Sequence, residues 1–121
     1  MSKTILTVDD SRTMRDMLKI ALAGAGYDVV QAEDGLHGLE VLETATPDAI
    51  ITDINMPRMD GFGFIESVRS DKRHRSVPIL VLTTESDQAK KDRARAAGAT
   101  GWIVKPFDPA KLNDAIRRVT S

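Results

Sequence analysis

Four short apolar runs, each leading into a residue suited to phosphate or metal chemistry, constrain this chain more than any other feature. Ile5 to Val8 leads into Asp9 and Asp10, Ala49 to Thr52 into Asp53, Ile79 to Leu82 into Thr83, and Trp102 to Val104 into Lys105. With a fifth run from Asp28 to Ala32, they are short and rich in β-branched residues, as strands covered on both faces of a sheet are. Between them apolar residues recur at helical spacing: Met14, Met17, Leu18, Ala21, Leu22 and Ala25, then Phe62, Ile65 and Val68, and finally Leu112, Ala115, Ile116 and Val119. Each set reads as a buried helix face, with Met14 and Met17 taken as core packing. Ser11, Asp34, Asp60 and Asp87 stand where N-caps belong, Pro109 suits a first helical turn, and Gly26 and Gly98 suit helix ends.

Strand and helix alternate along the whole chain. That pattern predicts an α/β fold, a doubly wound five-stranded parallel sheet with helices on both faces and right-handed crossovers. In such a sheet the carboxyl ends of the strands share one edge, so Asp9, Asp10, Asp53, Thr83 and Lys105 should converge. A length of 121 residues supports one core without staples, and no linker or repeat breaks the alternation, so a single domain over residues 1–121 is expected. The stretch from Asp87 to Ala97 differs from the other helices. It offers only alanines (Ala89, Ala94, Ala96 and Ala97) beside Lys90, Lys91, Arg93 and Arg95, and should pack loosely.

Charge and composition remove several classes of function. The 17 Lys and Arg balance 18 Asp and Glu to a net charge of -1, so no overall field favours nucleic acid or an anionic membrane. No apolar run exceeds four residues, which excludes a membrane-spanning helix or a signal-peptide core, and the absence of cysteine fits a reducing, cytoplasmic setting. Lys72-Arg73-His74-Arg75 reads as a solvated turn, and His37 and His74 as surface histidines lacking a second metal ligand. Gly24-Ala25-Gly26 follows a helix and precedes a strand, the reverse of a dinucleotide-binding loop, and is read as a helix terminator.

The clustered acids need a cation. Two carboxylates about 4 Å apart repel by roughly 1 kcal/mol in water and roughly 4 kcal/mol at an effective dielectric of 20, so a third makes an uncompensated site costly. Hard oxygen donors without thiolates or paired imidazoles favour Mg²⁺. Beside Mg²⁺ a carboxylate can act as nucleophile toward a phosphoryl group, and the Thr83 hydroxyl and Lys105 ammonium are suited to its remaining oxygens.

Val8-Asp9-Asp10-Ser11, Asp53-Ile54-Asn55-Met56-Pro57 followed by Met59-Asp60-Gly61, Thr83, and Lys105-Pro106-Phe107 together resemble the receiver domain of bacterial two-component response regulators, its single-domain chemotaxis members above all. The likeness spans the full length. It implies a flavodoxin-like, CheY-like fold of strand order 2-1-3-4-5. It implies Asp53 as phosphoacceptor, Mg²⁺ on Asp10, Asp53 and the backbone carbonyl of Asn55 with Asp9 reaching it through water, and Thr83 and Lys105 on the phosphoryl oxygens. Asn55 and Glu85 occupy the positions that tune hydrolysis in the family, and the Lys105–Pro106 bond is usually cis there. The phosphoryl donor would be a histidine kinase of the CheA kind. The output would be a phosphorylation-dependent effector, with a flagellar motor switch protein one candidate, bound by a monomer through the helix near Asp87, the strand through Trp102 and the last helix.

Two positions depart from the family pattern. Trp102 replaces the usual Tyr or Phe and is read as the switch residue moving with Thr83, while Thr84 is bulkier than the residue usual there and should slow phosphorylation. Two other outcomes stay open at this level: a phosphate relay or sink that engages no motor, and a Mg²⁺-dependent phosphohydrolase. The second lacks the acid expected two residues after its nucleophile, Asn55 standing there. A flavin site is disfavoured by the acidic turn after the first run.

Overall fold

The computed structural model describes residues 2–121. Its elements run β1 (Thr4–Val8), α1 (Arg12–Gly24), β2 (Asp28–Ala32), α2 (Gly35–Leu42), β3 (Ala49–Thr52), α3 (Gly61–Ser70), a 3-10 turn (Lys72–His74), β4 (Ile79–Thr83), α4 (Gln88–Ala97), β5 (Gly101–Val104) and α5 (Pro109–Thr120). All strand pairs are parallel, in the order β2-β1-β3-β4-β5. This is the doubly wound, CheY-like arrangement expected from the sequence.

The three inner strands are buried almost throughout, because helices cover both faces. Leu6, Val8, Ile50, Ile79 and Val81 face the layer of α2, α3 and α4, while Ile5, Ala49, Ile51, Leu80 and Leu82 face α1 and α5. The outer strands β2 and β5 are only half-buried, and Val104 is exposed, since an edge strand lacks a neighbour on one side.

Each helix starts on a side chain that caps it. Ser11, Asp34, Asp60 and Asp87 each accept a backbone N–H from the first turn, as the sequence implied, and Asp108 does the same for α5 ahead of Pro109. Gly26 and Gly98 adopt positive φ after α1 and α4. Gly38 in α2 packs on α3 so closely that a Cβ there would lie 2.7 Å from the Phe64 ring.

Three sequence readings change. Met17 is 46% exposed, because the buried stripe of α1 runs through Leu18 and Leu22 with Met14 at its flank. Ala25 is the exposed C-cap of α1 and not part of its face. His74 is buried, its Nε2 sitting 3.1 Å from the Leu42 carbonyl oxygen. The basic run around it is the solvated turn expected, a 3-10 turn with Lys72, Arg73 and Arg75 exposed, and Arg69 ties it down, its Nη1 donating to the carbonyls of His74 and Arg75 at 3.2 Å. Local composition could not reveal the Leu42 carbonyl, distant in sequence, that receives His74.

Candidate functional site at the carboxyl edge of the sheet

Register builds the site. Val8 pairs with Thr52, so the next residue of each strand, Asp9 and Asp53, emerges side by side, and the Asp53 N–H donates to the Val8 carbonyl at 2.9 Å. Thr83 pairs with Val104, which places Lys105 directly beyond, its N–H donating to the Thr83 carbonyl at 2.8 Å. The Lys105–Pro106 bond is cis.

Ligand oxygens of Asp9, Asp10 and Asp53 lie within 4.8 Å of one another. Lys105 reaches back across the edge, and its Nζ donates to Asp9 Oδ2 at 2.9 Å and to Asp53 Oδ2 at 3.0 Å. The other Asp53 oxygen accepts the Ile54 N–H at 2.7 Å, and Asp9 Oδ1 accepts the Ser11 N–H at 2.9 Å. Asp10 is exposed and forms no ion pair among the described residues.

Burial pushes the Asp9 carboxyl above its ordinary range, and the hydrogen bonds from Ser11 and Lys105 reduce that rise without cancelling it. Burial also opposes the charge of Lys105, but its two carboxylate partners outweigh it and hold the ammonium above the usual lysine value. Lys105 therefore stays cationic, and one ammonium faces three acids. The donor set is hard oxygen with an excess of negative charge, which fits a divalent ion such as Mg²⁺.

Beside this cluster lies a second constellation. Thr83 is buried, and its hydroxyl accepts the Glu85 N–H at 3.3 Å; among the described residues no hydrogen bond joins it to Asp53. Glu85 gathers three partners: Asn55 Nδ2 donates to Oε1 at 3.1 Å, Lys90 Nζ stands 3.1 Å from the same oxygen, and the Trp102 indole N–H donates to its backbone carbonyl at 3.0 Å. The Asn55 amide and then Lys90 draw the Glu85 carboxyl below the usual glutamate range. Trp102 is half-buried between β5 and α4. Lys90 went unnoticed in the sequence, where it was one cation of a basic helix; only the fold brings it to Glu85.

Comparison with known proteins agrees with this geometry. Residues 5–117 match the response regulator receiver domain family. The chemotaxis protein CheY1 of Helicobacter pylori is 43% identical over 117 residues, covering 95% of this chain and 94% of that protein. The structure of CheY4, a chemotaxis protein of Vibrio cholerae, superposes with a TM-score of 0.94 at 44% identity, covering 98% of this chain and 99% of that one. A sensor-kinase receiver domain from Pseudomonas aeruginosa, with a magnesium ion in its active-site cleft, gives a TM-score of 0.92 at 29% identity over 100% of both chains. Receiver domains are phosphoacceptor switches that bind Mg²⁺ at an acidic pocket, take phosphoryl groups from histidine kinases and engage effectors, and this chain belongs to that family as a CheY-like response regulator receiver domain.

Proposed function

We propose that the chain is a chemotaxis signalling switch that accepts a phosphoryl group from a histidine kinase onto Asp53 and, in that state, binds an effector such as a flagellar motor switch protein. The observation that carries the reading is the contact of Lys105 with both Asp9 and Asp53 beside the unpaired Asp10. The names of the chemotaxis relatives supply the setting. Asp10, Asp53 and the backbone carbonyl of Asn55 would hold Mg²⁺, with Asp9 acting through water. Bound there, the ion offsets negative charge on the phosphoryl oxygens.

In the transfer, a carboxylate oxygen of Asp53 forms a bond to phosphorus as the P–N bond of the donor phosphohistidine breaks, and the electron pair leaves with the imidazole nitrogen. Lys105 already stands at Asp53 and follows the charge onto the new phosphoryl group, while Thr83 supplies a hydroxyl once it turns from the Glu85 N–H. Trp102 reports that movement. Its indole holds the Glu85 carbonyl, two residues beyond Thr83, so a shift of this loop disturbs the bond. Asn55 and Glu85 tune hydrolysis by setting what lies at the mouth of the site. The switch works as a cytoplasmic monomer.

The test is incubation with a phosphorylated histidine-kinase domain, with and without Mg²⁺. Label should move to the wild type only with Mg²⁺ and not to Asp53→Asn. Label on Asp53→Asn, or none on the wild type, would overturn the assignment. Phosphorylation-dependent binding to a motor switch protein separates a motor regulator from a phosphate sink.

A further inference from the structure

Arg58, in the loop between β3 and α3, has φ 65° and is the one non-glycine residue with positive φ among the described residues. Residues with side chains rarely take that conformation, so the surrounding contacts must select it. They do so from α2. Asp34 is buried, and its carboxylate accepts Arg58 Nε at 2.7 Å and Nη2 at 3.0 Å, a two-pronged, charge-assisted grip. The same carboxylate caps α2 by accepting the His37 N–H at 2.8 Å, so its position is set by the helix. Next to it the Gly35 N–H donates to the Met59 carbonyl at 3.2 Å, and a Cβ on Gly35 would lie 2.7 Å from that oxygen.

The far end of the loop is pinned as well. The Gly61 N–H donates to the Ile54 carbonyl at 2.8 Å, and a Cβ there would lie 2.3 Å from the Asp53 carbonyl oxygen. Asn55 lies inside the segment closed by these two fastenings.

We propose that the Arg58–Asp34 pair is a clasp that positions the loop carrying the backbone carbonyl of Asn55, so that affinity for the divalent ion depends on two residues that touch neither the ion nor the phosphoryl group. This rests on the metal site described under Proposed function. Arg58 is a positioning residue. Lysine cannot replace it, because a point charge on a flexible stem grips one carboxylate oxygen without fixing the orientation of the chain.

Titration of Mg²⁺ into the apo protein by calorimetry tests the clasp, with Arg58→Asn, Arg58→Lys, Asp34→Asn and the double variant Arg58→Asn/Asp34→Asn beside the wild type. Asparagine tolerates the left-handed conformation at 58 and remains a good N-cap at 34, so the fold is kept while the ion pair is lost. Each single variant should bind Mg²⁺ about tenfold more weakly, lysine should not rescue, and the double variant should be no worse than either single one. Melting curves in chelator accompany the titrations, since a merely structural pair would lower the melting temperature and leave the Mg²⁺ affinity alone. Wild-type affinity in Arg58→Asn and Asp34→Asn, or losses that multiply in the double variant, would overturn the clasp. A wild type that binds no Mg²⁺ would instead overturn the metal site itself.

Discussion

Helices α4 and α5 flank the same edge strand, β5, yet are held by different forces. α5 sinks Leu112 and Ile116 into the core with Ala115 and Val119 beside them. α4 fully buries only Ala94, with Ala97 partly buried against the same core, and adds polar or cationic ties: Arg93 over the Phe62 ring at 4.0 Å, Arg69 Nε donating to the carbonyl of its C-cap Gly98 at 3.0 Å, and Lys90 with Glu85. Full burial of a Leu or Ile is worth about 1.5–3 kcal/mol, while exposed ion pairs give roughly 0–1 kcal/mol. One helix is therefore scaffold, and the other rests on contacts that exchange at little cost. Low local stability suits the output role that the family resemblance implies for α4.

The contrast breaks most severely at the apolar end. Ile116→Ala should destabilise the whole domain by about 2–4 kcal/mol in urea unfolding, since it opens a cavity among Ile5, Leu22 and Ile51. A loss below 1 kcal/mol would mean that α5 is no more scaffold than α4 is.

Gly98→Ala sharpens the contrast from the other side. Its φ of 117° disfavours any side chain, and a Cβ would lie 2.6 Å from Arg69 Cγ, so a cost of about 1–2 kcal/mol is expected. Amide exchange should localise the loosening to α4 and the end of α3, leaving α5 protected.

Acid should produce the smallest effect. The Glu85 carboxyl titrates below its unfolded value, so its contacts with Asn55 and Lys90 stabilise the fold above that value, about pH 4.3, and are lost as pH falls through the lowered folded value. Trp102 emission, which senses the Glu85 loop, should therefore change only below about pH 4.3, and before far-ultraviolet circular dichroism reports loss of helix. Coincident transitions would show that α4 has no separate response.

The fold was legible because period and punctuation agreed: β-branched runs of four or five residues, amphipathic stretches between them, and an Asp or Ser at the start of most helices. α2 was the least legible helix, since its eight residues include two glycines whose value is close approach, Gly35 to Met59 and Gly38 to Phe64. The acids, Thr83 and Lys105 stood out because each followed an apolar run. Met17 misled because helical spacing gives a stripe but not its width, and His74 misled because no signal in a basic run announces a distant carbonyl.

The order of residue types along the chain determined which side chains would arrive at one edge, for a parallel sheet brings the end of every strand to the same rim whatever the loops do. Only the tertiary structure decided what they meet there. That Lys105 bridges Asp9 and Asp53, that Glu85 joins Asn55, Lys90 and Trp102, and that Arg58 reaches Asp34 are facts of register and side-chain reach between residues distant in sequence. Such pairings follow from packing in three dimensions, and no local pattern encodes them.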